Sequence, residues 1–400
     1  MTPMTLTPPA GRRGGFTLVE LLVAAGLSVL VMAILATAFQ QGMETLSHLK
    51  SAVTLSQQLR SVEGVMRRDL GARHLEDGST GNTVHVSNRE KILQGWRSPN
   101  KGYFRVEIPT VPVLAVSATP TTPFVDEGAE EGVNSYRATD HKLMFTCRYP
   151  GGSPSEVVTA GATGLTNLLA QSQKNMVDTA DADKVFAGVW AEVGYFLDDT
   201  FLTTTDANGT AGFKLYTLRR WVRSLAPNQQ PLQSGVDAKT FYELSVSPAG
   251  NINTPADVAM SAQFANSSPP GNRAMFPGTP APGIARSSAD MAPLSDVKNA
   301  YEGSDVLLSN VVSMQVMPML DPMPNMPQNT KPTYLDNPRE SGGAAWSYDT
   351  FDPPVDTQTT PAVQAGTPPR RYGLRAVQIK LRVYDVRNRM TRQVTIAQDL

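Results

Sequence analysis

The sequence predicts an α+β chain: a long N-terminal α-helix, transmembrane then amphipathic, packed on a mainly antiparallel β-sheet head with Pro-rich loop insertions. Three observations predict it. The stretch from Leu21 to Phe39 carries no charge over 19 residues. No proline occurs between Pro9 and Pro99, whereas 21 of the 31 prolines fall between Pro227 and Pro369. Near the C-terminus Val377, Ile379, Leu381 and Val383 alternate with Gln378, Lys380 and Arg382, the period of a strand with one buried face. Composition agrees, since 40% of the 400 residues are hydrophobic and only 18% charged, low for a chain with no membrane segment. With 35 Lys+Arg against 36 Asp+Glu the formal charge is -1, so the chain has no basic field for nucleic acid. A single cysteine, Cys147, excludes an intramolecular disulfide and a Cys-based zinc site. The four histidines (His48, His74, His85, His141) lie at no metal-ligand spacing, and neither a metal nor a cofactor is expected.

The first element begins after a polar leader, residues 1–15, whose only charges are Arg12 and Arg13. FTLVELLVAAGLSVLVMAILATAF, residues 16–39, follows with one charge, Glu20. Its uncharged part approaches the ~20 residues that cross a bilayer as a helix. Arg12 and Arg13 place the N-terminal flank in the cytoplasm and the rest of the chain beyond the membrane. An ordinary secretory signal has a shorter apolar core, and the Ala36-Thr37-Ala38 triplet mimics its cleavage site without that core length. A twin-arginine signal fits poorly at Gly14, Gly15 and Phe16. A plain single-span anchor leaves Glu20 unexplained, because an ionised group in a membrane segment is costly and usually functional.

Gly14-Gly15-Phe16-Thr17-Leu18-Val19-Glu20-Leu21-Leu22 closely resembles the class III signal of type IV prepilins and pseudopilins. The resemblance implies that a prepilin peptidase cuts after Gly15 on the cytoplasmic side and N-methylates Phe16. It further implies that Glu20, at the fifth mature position, pairs during assembly with the N-terminal amine of a neighbouring subunit. The residues are compatible with this on physical grounds. Glycine at a cut site leaves the backbone unobstructed, Phe16 and Glu20 at i and i+4 share a helix face, and a carboxylate near a helix N-terminus is favoured by the macrodipole.

Beyond the apolar run, residues 40–77 continue the helix: Met43, Leu46, Leu49, Val53, Leu59, Val62, Met66 and Leu70 recur mostly at three or four, interrupted near Ser56. A helix from Phe16 to Leu75 would extend about 90 Å, with Gly26, Gly42, Gly64 and Gly71 as possible bends. From residue 78 to 400 the pattern turns to strands and loops. Strands are predicted at Tyr103–Val113, His141–Tyr149, Val189–Leu197, Phe213–Arg223, Val306–Met317 and Leu374–Val386, with Arg387-Asn388-Arg389 turning into a last strand holding Val394 and Ile396. Residues 226–300 and 320–370 read as insertions rich in Pro, Gly, Ser, Asn and Thr.

The head also resembles a subfamily. Arg68-Asp69-Leu70, Ala191–Leu197, Leu215–Arg220, Leu307–Val316, Trp346 and Arg375–Leu381 follow the order of the J-type minor pseudopilin of type II secretion and of related minor pilins; the Pro-rich insertions depart from that compact pattern. The resemblance implies a minor subunit at a filament tip. Its partners would be the peptidase, other minor pseudopilins or pilins in a hetero-oligomer, the inner-membrane assembly platform and, through the N-terminal helix, the membrane. The head would lie in the periplasm or another extracytoplasmic space. A minor type IV or competence pilin is the alternative within the class; outside it stands a single-span anchored enzyme or binding protein.

Enzymatic patterns are missing from the sequence: it has no Gly-rich phosphate loop, no G-x-S-x-G and no H-E-x-x-H. Ser47-x-x-Lys50 and Ser295-x-x-Lys298 lack the companion motifs of S-x-x-K enzymes. Asp198, Asp199, Asp206 and Asn208 crowd one loop, but Thr204 and Leu215 stand where an EF-hand needs acids, so turn chemistry is expected there. Cys147 is expected as a buried small hydrophobe, and Arg219, Arg220 and Arg223 beside Trp221 as a solvated strand face. The chain is expected to act by assembly, without catalysis.

Overall fold

The computed structural model describes residues 17–76, 83–84, 100–108, 138–139, 141–151, 157–161, 185–198, 202–205, 211–226, 230–231, 244–245, 251–259, 304–321, 334–335, 346–350, 372–386 and 390–400. Helix α1 spans Leu18–Leu70, about 80 Å at 1.5 Å per residue. Short strands β1 (Leu75–Glu76) and β2 (Thr83–Val84) follow, then β3 (Phe104–Ile108), β4 (Lys142–Arg148), β5 (Val158–Gly161), β6 (Val185–Gly188), β7 (Trp190–Leu197), β8 (Leu202–Thr205) and β9 (Ala211–Ser224). Next come β10 (Gln230–Pro231), β11 (Asn251–Ile252), helix α2 (Pro255–Ala259), β12 (Ser304–Asp321), β13 (Trp346–Asp349), β14 (Gly373–Asp385) and β15 (Met390–Asp399). The chain divides into two compact units, one ending at Ser56 and the other running from Gln57 to Leu400.

Helix α1 begins where a helix can be capped and runs without a break because nothing in it forbids helix. Gly26, Gly42 and Gly64 lie inside it with open space around each, and the helix is unbroken at all three. It stops at Leu70, five residues before the expected Leu75. Gly71 donates its N–H to the Arg67 carbonyl at 2.9 Å, and a ring nitrogen of His74 sits 3.0 Å from the Leu70 carbonyl. The first is an ordinary i+4 bond that closes the last turn; the second serves a terminal carbonyl, one of those a helix end leaves without an i+4 donor. Arg67 and Arg68 in the last turn also suit the negative end of the dipole.

In the second unit nine strands form one antiparallel sheet, in the order β13-β3-β4-β7-β9-β12-β14-β15, with β8 paired to the first residues of β9. From β3 onward the main strands neighbour one another in chain order, a meander in which only β13 returns to the far edge beside β3. Chain order is kept although the sequence between neighbours is long, from Ile108 to Lys142 between β3 and β4 and from Ser224 to Ser304 between β9 and β12. The predicted alternation of β14 holds: Val377, Ile379, Leu381 and Val383 are buried while Gln378, Lys380 and Arg382 are half-buried. Ile379 lies opposite Val316 on one side and Ile396 on the other, so a one-residue slip would expose three apolar rows at once. Asn310, at φ 58°, sits inside the second register shift of β12 against β9, between Leu308 and Val311, and marks a bulge.

Val62, Met66 and Leu70 on α1 join Leu143, Phe145, Val193 and Tyr195 among the buried residues of this unit. Each large apolar side chain so placed contributes on the order of 1.5–3 kcal/mol relative to exposure. Several pieces of the Pro-rich stretches take part in the packing, Leu244, Ser245, Asn253 and Leu320 among the buried residues. Strand β13 pairs with β3 through Trp346–Asp349, and α2, capped by Thr254 and Asp257, buries Val258 against Tyr103, Trp221 and Leu225. Elsewhere in the two predicted insertions the described residues are 226, 230–231, 244–245, 251–254, 320–321, 334–335 and 350; the Arg387-Asn388-Arg389 turn and Ser295–Lys298 lie outside the described residues.

Candidate functional site

The N-terminal end of α1 is closed by its own side chains. Thr17 precedes the first helical residue, and its carbonyl accepts the Leu21 N–H at 3.1 Å. The Glu20 N–H donates to Thr17 Oγ1 at 3.2 Å. In return Glu20 Oε2 accepts from the Thr17 N–H and the Thr17 hydroxyl, both at 3.3 Å. This is a reciprocal capping box, the Thr-x-x-Glu pattern that satisfies donors left over in a first turn. Thr17 is the residue that sequence reading passed over, although the spacing Thr17-x-x-Glu20 is itself the signal. Gly15 and Phe16, the other two predicted site residues, lie outside the described residues; Glu20 is placed in the first helical turn.

From Leu18 to Val53 the large apolar side chains are exposed, including Leu22, Leu30, Met32 and Phe39 at 74%. Patches of this size on a soluble surface mark a contact with lipid or protein. Polar groups in the stretch are neutralised locally. Ser28 donates to the Ala24 carbonyl at 2.8 Å, Thr37 to that of Ala33 at 2.9 Å and Thr45 to that of Gln41 at 2.8 Å. The helix is long and apolar enough to cross a membrane.

The head holds buried polar groups that were not expected. Asp69, fully buried in the last turn of α1, receives Arg220 Nε at 2.7 Å, the Tyr195 hydroxyl at 2.6 Å and the Tyr149 hydroxyl at 3.4 Å. Burial pushes the Tyr195 and Tyr149 phenols up, and the Asp69 charge pushes the same way. Arg220 is drawn down by burial, yet Asp69 more than offsets this and holds its pKa above the ordinary value. Cys147 is buried as expected and donates to the Asp69 carbonyl at 3.3 Å; its thiol is pushed well above the usual range by burial, then by Asp69. Arg219 Nε meets Asp198 Oδ2 at 2.6 Å, and the Arg223 guanidinium stacks 4.0 Å from the Trp221 ring. Burial lowers Arg223 to about 10, with Glu192 and Tyr103 opposing. The expected solvated arginine face is therefore corrected: Arg219, Arg220 and Arg223 are half-buried, Arg219 paired with Asp198 just after β7, Arg220 with Asp69 of α1, and Arg223 lying over Trp221.

A second network joins Glu192 to the Tyr103 hydroxyl at 2.8 Å and to the Ser245 hydroxyl, which in turn accepts from Asn253 Nδ2 at 2.9 Å. These groups bind one another inside an apolar cluster of Trp190, Trp221 and Val258. Among the described residues no group of three or more His, Cys, Asp or Glu is placed to hold a metal ion. Asp198 is engaged with Arg219, while Asp199, Asp206 and Asn208 lie outside the described residues. The networks act as ties between elements. In the first unit, behind the capped turn, the apolar side chains of α1 are exposed. Compared with known proteins, the chain matches no family model, no curated protein and no solved structure.

Proposed function

We propose that the chain is a minor, tip-located pseudopilin of a type II secretion system, made as a precursor with the leader 1–15. A prepilin peptidase cuts it after Gly15 and methylates the new N-terminus at Phe16. The helix anchors it in the inner membrane with the head outside the cytoplasm. Glu20 then pairs with a neighbour's N-terminal amine as other minor pseudopilins and the assembly platform gather it into the start of a pseudopilus.

One observation carries the reading. A glycine pair, a Phe and a single carboxylate stand in register at the head of a helix whose next 19 residues are uncharged and whose apolar side chains are exposed. A solitary carboxylate in that position is unfavourable in lipid, and a cationic partner at assembly relieves it. The long Pro-rich sequence in the head favours few copies, since a repeated shaft subunit must fit several identical neighbours.

The test is the N-terminal mass of the membrane-extracted protein. Loss of residues 1–15 with an added methyl on Phe16 supports the reading, and Gly15→Leu should accumulate uncut precursor. An intact N-terminus makes the chain a plain anchored protein, and normal maturation of Gly15→Leu overturns the peptidase reading. Co-elution with the other minor subunits at fixed stoichiometry separates a tip role from a homopolymer.

A further inference from the structure

We infer that Thr17 is the positioning residue of the Glu20 carboxylate: it holds Oε2 and leaves Oε1 as the oxygen offered to an incoming ammonium group of another subunit. The inference rests on the proposed pilin-like assembly and names the device that readies its assembly carboxylate.

Both bonds from Thr17, from its N–H and from its hydroxyl, converge on the same oxygen, Oε2. Oε1 has no partner among the described residues, and the side chain is exposed. An ionised carboxylate has about four acceptor sites, so engaging one oxygen leaves the other able to accept a charged donor. A free glutamate samples many rotamers; one tied through its first-turn box samples few, and the ordering loss on pairing falls accordingly. Elsewhere in the apolar run the hydroxyls of Ser28, Thr37 and Thr45 turn back onto their own helix. Thr17 differs in bonding a charged group, and its hydroxyl both donates to Glu20 and accepts from the Glu20 N–H. A cationic partner can therefore bind without the cap opening.

The experiment uses the full-length precursor expressed with the minor subunits of its own system. A membrane-permeant carbodiimide joins carboxylates to contacting amines with no spacer, and the Glu20 peptide linked to the N-terminal peptide of another minor subunit, told by its different sequence from a link to the chain's own N-terminus, is quantified by mass spectrometry relative to processed protein. Wild type should yield that cross-link, and Glu20→Gln should abolish it. Thr17→Val should lower it about tenfold, as for loss of one hydrogen bond to a charged group, while Thr17→Ser restores it. Processing after Gly15 and membrane retention should stay unchanged in both Thr17 variants. A Thr17→Val yield equal to wild type, or failure of Thr17→Ser to restore it, reduces Thr17 to an ordinary helix cap and overturns the inference. Processed wild type with no cross-link overturns it too, whereas unprocessed wild type overturns the assembly reading itself.

Discussion

The two acids at the ends of α1 live under opposite rules. Glu20 sits in the first turn, exposed, with the positive end of the helix dipole behind it and Thr17 as its local partner. Asp69 sits in the last turn, fully buried, where the dipole opposes it. It persists because Arg220, 151 residues further along the chain, reaches it at 2.7 Å. The apolar side chains reverse in the same sense: Phe39 is 74% exposed, whereas Met66 and Leu70 are fully buried. One continuous helix thus has a part that needs an external solvent or partner and a part whose partners belong to its own chain.

Removing Asp69 breaks the second half of that contrast most severely. Asp69→Ala leaves the half-buried Arg220 guanidinium with only the exposed Asp305 carboxylate, 3.9 Å away, and losing one member of a buried pair costs up to about 3–5 kcal/mol. Urea unfolding of the detergent-solubilised full chain should show this loss, while Asp69→Asn, which keeps an acceptor for both Tyr195 and Arg220, should lose less. An Asp69→Ala protein as stable as wild type would mean the pair is not holding the helix end.

A charge in the other half should act on the membrane and not on the head. Leu30→Arg is expected to weaken insertion by about 2.5–3.5 kcal/mol, read as protein released by alkaline carbonate. Its head should unfold at the wild-type urea midpoint, because Leu30 is exposed and lies in the first unit. A shifted midpoint would show that the two halves are energetically coupled.

The smallest effect sharpens the account of the buried half through pH. Cys147, Tyr149 and Tyr195 all have pKa values raised by burial and then by neighbouring charge. For an acid with a raised folded pKa, the unfolded chain loses its proton first, so the stabilisation is complete below the unfolded pKa and declines as pH rises. The decline should begin near pH 9 with the Cys147 thiol and steepen near 10 with the phenols. Each group contributes at most about 1.4 kcal/mol per pH unit. Arg223, lowered to about 10 by burial, acts in the opposite sense above that pH, since its unfolded form then holds more protons. Tyr195→Phe should flatten the fall between pH 10 and 11; an unchanged slope would assign the effect elsewhere.

Much of the fold was legible because its signals are local. The helix is expected from Phe16 to Leu75 and observed from Leu18 to Leu70, and the six main predicted strands each coincide with an observed one over most of the described residues. Misreadings came where partners are remote. β13 lies in a stretch whose proline content reads as loop, yet it pairs with β3 more than 200 residues earlier. Arg219 and Arg220 read as solvated because strand alternation says which face a residue occupies and not what lies opposite. At the candidate site the carboxylate was legible from its isolation in apolar sequence, and the threonine beside it was overlooked although its spacing is a written cap signal.

By itself the sequence determined where the helix starts, how long it stays apolar, where strands alternate, and that one carboxylate heads the apolar run. Those features depend on neighbours within about four residues, through capping, turn geometry and periodicity. Only the tertiary structure decided which charges are buried and with whom. Asp69, Tyr195 and Arg220 come from a helix end and two strands, and a buried charge is tolerable only when its opposite is brought to it. That meeting is set by the order in which the meander lays its strands side by side, which no local pattern encodes.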